Sequence, residues 1–166
     1  MPKIEAVTAE LFTLPLAEVL SDAMHGDHTH FELVIVQVRL DNGSRGTGYT
    51  YTGGKGGHAI LAMIEHDFAG WLTGQEAGDI EALNAAMGRH IHYVGRGGID
   101  SFAIAAIDIA LWDARCRELG QPLFRLGRQG GGVGRELHGI VGQDDLIEEL
   151  AFRQLVGVIG PLQGLA

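Results

Sequence analysis

The run Ala103-Ile104-Ala105-Ala106-Ile107-Asp108-Ile109-Ala110-Leu111-Trp112-Asp113 decides how this chain is read. At 3.6 residues per turn, Ile104, Ile107, Leu111 and the neighbouring Ile109 form a wide apolar face, and the alanines let another backbone approach closely. Asp108 and Asp113 interrupt that face. Five positions apart, they stand about 140° around the helix axis from each other, so they cannot act as a ligand pair on one face. A half-buried carboxylate is costly without a partner, which predicts for each acid an arginine or a backbone N–H from elsewhere. Both are read first as structural carboxylates at a packing seam rather than as catalytic groups. Arg96, between glycines at the helix entrance, suits a carboxylate of substrate or of protein, and a structural partner such as Asp108 is favoured.

Outward from this helix, Gly95-Arg96-Gly97-Gly98 breaks the chain before it, and Asp100 or Ser101 is the expected cap. Gly120 ends it and Pro122 prevents its continuation. Further upstream, residues 4–14 carry enough β-branched and aromatic side chains for a strand, stopped by Pro15, with residues 17–30 as a polar, His-rich loop. From Phe31 to Leu40 alternate residues point to opposite sides, and both sides are largely apolar, which predicts a central strand. Asp41-Asn42-Gly43 signals a hairpin into a returning strand, Gly46–Thr52. Ile60, Leu61, Ile64, Phe68, Trp71 and Leu72 then give a helix over His58–Leu72, and Asp79 caps another from Ile80 to about His92. The fold class is therefore α+β: a three-stranded antiparallel meander packed on a helical bundle.

Length and composition narrow the function. The chain has 166 residues, 46% hydrophobic and 20% charged, enough for one globular domain with an appendage. A formal charge of -9 with 12 Lys and Arg argues against nucleic acid. An anionic substrate needs only a locally positive pocket. The lone Cys116 allows no internal disulfide, which fits a reducing cytoplasm, and no apolar run reaches the ~18 residues of a membrane span. A soluble, cytoplasmic protein is expected.

Gly95-Arg96-Gly97-Gly98-Ile99, the Asp108-Ile109-Ala110-Leu111-Trp112-Asp113 core and Gly120-Gln121-Pro122-Leu123 together resemble the end of the capping domain in the mandelate racemase and muconate lactonizing enzyme branch of the enolase superfamily. Within that branch the chain most resembles the acid-sugar dehydratases, in register over residues 1–126. The resemblance implies an enolase N-terminal-like domain and, for the full-length family, Mg2+-dependent dehydration or racemisation of a sugar acid. It implies that the loop around Asp22-Ala23-Met24-His25-Gly26 and the loop Gly53-Gly54-Lys55-Gly56-Gly57 close over a barrel mouth and meet the distal end of the substrate. Asp22, His25, Tyr51 and Lys55 are then the expected substrate-binding residues, and Arg96, Asp108 and Asp113 the structural ones.

The family's metal ligands and its Lys-x-Lys base would all lie beyond residue 126, so no catalytic residue, metal ligand or cofactor is expected in this chain, and the (β/α)8 barrel is expected to be absent. The segment 127–166 has 10 glycines among 40 residues and no lysine, with a short helical pattern over Asp144–Val158. A frame-shifted or truncated reading frame would give this pattern; a natural divergent tail is the alternative. The chain alone is then expected to be inactive, with a sugar acid as partner only in the presence of a barrel. The second reading is a non-catalytic module that self-associates through the exposed barrel-facing surface.

Other chemistries are weaker. Neither glycine cluster has phosphate-loop or dinucleotide spacing. His28-Thr29-His30 and His90-Ile91-His92 bring their rings together only on an extended strand, with no Cys-x-x-Cys or His-Glu-x-x-His nearby, so solvated loop histidines are the default. No Gly-x-Ser-x-Gly elbow supports a hydrolase.

Overall fold

A computed structural model describes residues 1–95, 97–123 and 125–126. Arg96 and the segment 127–166 lie outside the described residues, and with them the roles expected of both. The chain divides into two units, Met1–Leu123 and Phe124–Ala166, and every element below belongs to the first.

Three antiparallel strands, β1 (Ile4–Asp22), β2 (Gly26–Leu40) and β3 (Arg45–Thr52), form a sheet in the order β1-β2-β3. As its two apolar sides require, β2 is central, and Val34, Val36, Val38 and Leu40 are buried beneath the helices. Asn42 and Gly43 turn β2 into β3: Gly43 takes φ +87°, and Asn42 Oδ1 accepts from the Ser44 N–H at 3.0 Å.

The expected loop over residues 17–30 is instead the far half of a long hairpin. β1 continues past Pro15 to Asp22, and β2 begins at Gly26. Proline is tolerated because β1 is an edge strand, where a missing N–H leaves no gap in a ladder. Pro15 pairs with His30 and Leu20 with His28, so Leu16, Ala17, Glu18 and Val19 bulge opposite Thr29 alone. Beyond the bulge, Ser21 pairs with Asp27 and Asp22 with Gly26, a narrow ribbon reaching past the sheet.

The first helical stretch runs as α1 (Gly57–Ala62), a π-helical turn (Met63–Phe68) and α2 (Ala69–Leu72). Its buried residues Ile60, Ile64, Phe68 and Leu72 repeat every four positions. In an α-helix each such step drifts about 40° around the axis; the wider π turn returns the stripe to the sheet. α3 (Ile80–His90) is capped by Asp79, whose Oδ1 accepts from the Ala82 N–H at 2.9 Å, and a 3₁₀ turn, His92–Val94, follows.

α4 (Ile99–Leu119) contains the deciding run. Its cap is Gly98 at φ +74°, not Asp100 or Ser101; Asp100 lies in the first turn, where a carboxylate complements the helix N-terminus. At the other end Gly120 adopts φ +59°, its N–H reaching Arg117 O at 3.2 Å while the Gln121 N–H reaches Cys116 O at 3.0 Å. The buried face is Ala103, Ala106, Ile107, Ala110, Leu111 and Ala114, whereas Ile109, expected on it, is 43% exposed. The reason lies across the seam. A Cβ on Gly48 would stand 2.0 Å from Ala106 O and 2.5 Å from Ala110 N; one on Gly46, 2.0 Å from Ala110 O and 2.3 Å from Ala114 N. The helix backbone thus rests directly on the β3 backbone, and only its smallest side chains fit between.

Among the described residues there is no parallel strand pair, and no helix is long and apolar enough to cross a membrane. Gly48→Ala is expected to destabilise the domain by about 3 kcal/mol, because neither backbone atom can give way. Gly88→Ala, in α3 with nothing near the new Cβ, should instead add about 0.5–1 kcal/mol. Urea-unfolding midpoints of the two variants separate them in sign.

Candidate functional site

The site is built where the hairpin tip meets the end of β3. Asp22 closes the tip: its Oδ1 accepts from the N–H groups of Met24 at 2.8 Å and His25 at 2.7 Å. These amides, His25 first and then Met24, hold its carboxyl down at about 2, from an ordinary 3.8. His25 Nδ1 lies 3.1 Å from each carboxylate oxygen, and His28 Nε2 lies 3.6 Å from Oδ2.

From there a file of rings runs back to the sheet. His28 is 6.1 Å from His25 and stacks on Phe31 at 5.8 Å, and Phe31 meets Tyr51 edge-on at 5.8 Å. His28 Nδ1 also lies 3.4 Å from Gly53 O. The glycine loop is shaped to this file. A Cβ on Gly53 would come within 2.8 Å of the His28 ring, and one on Gly54, where φ is +89°, within 2.9 Å of His30. Lys55 stands exposed in that loop.

Glu32, which sequence reasoning passed over, ties the loop to the sheet. Its Oε2 accepts from the Gly57 N–H and from Thr52 Oγ1, both at 2.8 Å. The Gly57 amide first, then the Thr52 hydroxyl, lower its pKa below the usual carboxylate value. A signal was present: Glu32 shares the side of β2 that carries Val34, Val36, Val38 and Leu40, and an acid on that side needs donors. Of the expected substrate-binding residues, the fold therefore brings Asp22 and His25 into contact and joins Tyr51 to them through Phe31 and His28. No ring or hydrogen-bond contact among the described residues joins Lys55 to that group.

The two acids of α4 lie elsewhere. Asp108 faces α3, where Asn84 Nδ2 donates to its Oδ1 at 2.9 Å; its partner is an amide rather than an arginine. Burial pushes its pKa up, against the Asn84 hydrogen bond and with Glu81 adding to the rise. Asp113 Oδ2 accepts from the Thr47 N–H and from Arg117 Nε, both at 2.8 Å, so it satisfies the outer edge of β3. His90 stacks on Trp71 at 4.5 Å while His92 Nδ1 lies 3.0 Å from Arg89 O, and the two rings do not converge.

Among the described residues, the cluster able to offer three metal donors is Asp22, His25 and His28, all within 4.8 Å of one another. Two imidazoles and one carboxylate do not fit Mg2+, which takes oxygen ligands and keeps its waters. No step through Mg2+ follows from these residues.

Glu32→Ala is expected to cost about 1–2 kcal/mol by loss of its charged hydrogen bonds, and hydrogen exchange at the Gly57 amide should accelerate more than at core amides. The raised pKa of Asp108 means that folding takes up a proton there. That contribution is fully present below 3.8 and is lost as pH rises through the folded value. Asp108→Asn keeps an acceptor for Asn84, so near neutrality it should be more stable than the native chain, with the gain vanishing below pH 3.8; urea unfolding at both pH values checks this.

Residues 8–127 match the family model for the mandelate racemase / muconate lactonizing enzyme N-terminal domain. The chain is 42% identical over 123 residues to the 3,6-anhydro-alpha-L-galactonate cycloisomerase of Streptomyces coelicolor, covering 74% of this chain and 34% of that protein. It is 35% identical over 129 residues to the L-talarate/galactarate dehydratase of Salmonella typhimurium, covering 75% and 32%. In structure it is similar to that dehydratase liganded with Mg and L-lyxarohydroxamate, with a TM-score of 0.70 at 32% identity over 75% of this chain and 33% of the other. A racemase from Streptomyces coelicolor A3(2) with bound magnesium gives 0.65 at 43% identity, over 68% and 31%. The chain spans about a third of the length of the curated relatives it matches. A three-stranded meander backed by helices, matched over residues 8–127, places this chain in the mandelate racemase and muconate lactonizing enzyme family of the enolase superfamily, whose N-terminal domain it carries.

Proposed function

We propose that residues 1–126 form the capping, substrate-specificity domain of a Mg2+-dependent sugar-acid dehydratase or racemase, with segment 127–166 outside it. One observation supports this above the rest: the hairpin tip and the glycine loop are keyed to each other through His28, Phe31 and Tyr51, so two separate segments form a single surface. His25, Tyr51 and Lys55 supply hydrogen-bond donors there, and Lys55 a local positive charge in a chain of net charge -9. Such groups suit the hydroxyls and distal carboxylate of a sugar acid. Gly54 and Gly56 take positive φ, a freedom of backbone that suits a loop closing over a substrate.

Proton abstraction beside a carboxylate needs a base and a charge stabiliser for the enediolate. In this reading both come from a barrel. The chain by itself is inactive, binds sugar acid only with that barrel, needs no nucleic acid or membrane, and works in the cytoplasm. Its own share of the reaction is to exclude water and orient the substrate's far end.

Joining residues 1–126 to the barrel of the Streptomyces coelicolor cycloisomerase tests the reading. The chimera should turn over a sugar acid with Mg2+, and Lys55→Ala or Tyr51→Phe should each lower kcat/KM about tenfold. Unchanged kcat/KM in both would remove the lid role. The chain alone should give no turnover with galactarate, L-talarate or L-rhamnonate plus Mg2+.

A second reading, a self-associating module, is supported by exposed Phe102 and Ile109, 44% and 43% accessible and seven positions apart on one side of α4, and by Tyr51 at 46%. Size-exclusion chromatography discriminates: a monomer that binds no hydrophobic dye excludes it.

A further inference from the structure

We propose that Asp22, His25 and His28 bind a transition-metal ion of the zinc class at the tip of the β1–β2 hairpin. The inference rests on the donor geometry of the tip; it shares His25 with the capping reading, and its test needs neither barrel nor sugar acid.

Strand pairing builds the cluster. Asp22 pairs with Gly26, and His28 lies two residues further along β2, so Asp22 and His28 project from the same side of the ribbon. The turn then folds His25 back onto Asp22, its ring nitrogen 3.1 Å from both carboxylate oxygens.

The orientation of His28 is the decisive detail. Gly53 O, 3.4 Å from Nδ1, can only accept, so this contact places a hydrogen on Nδ1 and leaves Nε2 as the ring nitrogen facing the cluster. Nε2 lies 3.6 Å from Asp22 Oδ2. Either a proton on Nε2 or a metal ion joins that nitrogen to the carboxylate, and the titrations below separate the two. A carbonyl behind one imidazole nitrogen and a free donor in front is also the arrangement that fixes a metal-binding tautomer.

Two of the three donor separations lie close to those such an ion sets. Metal–ligand bonds of about 2.0–2.2 Å in a tetrahedron set donor–donor separations of about 3.3–3.6 Å. The observed separations are 3.1 Å between Asp22 and His25 and 3.6 Å between Asp22 and His28, with all three donors within 4.8 Å. Closing the set needs side-chain movement of about an ångström, which exposed Asp22 and His25 permit. Imidazole with carboxylate selects Zn2+, Ni2+ or Cu2+ over Mg2+. Three protein ligands leave a further position for water or an anionic ligand.

The test uses the tag-free chain of residues 1–166, titrated with ZnCl2 by calorimetry and with Co2+ by visible absorption. One Zn2+ per chain is expected, with an intense d–d band for Co2+. His28→Gln and Asp22→Asn should each weaken Zn2+ binding at least about tenfold and abolish the band, with circular dichroism unchanged. His66→Gln, which removes an exposed imidazole outside the cluster, should leave binding intact, and millimolar Mg2+ should not compete. No saturable Zn2+ binding, or equal affinity in the His28→Gln and native chains, overturns the proposal.

Discussion

The contact between the backbones of α4 and β3 is the constraint from which the rest of the domain takes its shape. Gly46 and Gly48 on one side, Ala106, Ala110 and Ala114 on the other, leave no layer of side chains between helix and strand. Such closeness trades apolar volume for dispersion contacts along both backbones. It also fixes the rotation of α4. With the alanines turned down, Ile107 and Leu111 enter the core, Asp113 is held at the rim where it meets the Thr47 N–H, and Asp108 is turned towards α3.

That docking leaves the sheet with two unlike ends. Near the Asn42-Gly43 turn, the strands are covered by α4 and buried. Beyond Pro15 the hairpin outruns the helices, and its order comes from a file of rings and from the glycine loop laid against it. At this second end polar groups stand in water while still held by packed neighbours, and chemistry-bearing side chains gather there. Glu32 marks the boundary between the two ends, an acid beside a run of valines with its charge met by the Gly57 amide and the Thr52 hydroxyl.

Three carboxylates show how differently one chemistry is treated across the domain. Asp22 and Glu32 receive backbone N–H groups and are held ionised; Asp108 is desolvated against α3 with a neutral amide and is driven the other way. The first two organise loops around a fixed negative charge, whereas the third is a cost of the helix seam. Family membership gives the contrast a context, because the domain's polar end is where its loops lie.

Local pattern determined much of this protein. Period-two alternation through Phe31–Leu40, the Asn42-Gly43 turn, the Asp79 cap and the Gly120 stop are short-range effects, each written in a few adjacent residues, and the α+β meander follows from them. Tertiary structure decided what depends on residues distant in the chain. Whether Pro15 ends a strand depends on its lying at a sheet edge; which face of α4 is buried depends on glycines some sixty positions earlier; and His28 meets Asp22 because the ribbon pairs Asp22 with Gly26. Sequence spacing tells which side chains can share a helix face or a strand side, but a cross-strand or cross-layer neighbour is set by register and docking, and those are properties of the whole packed domain.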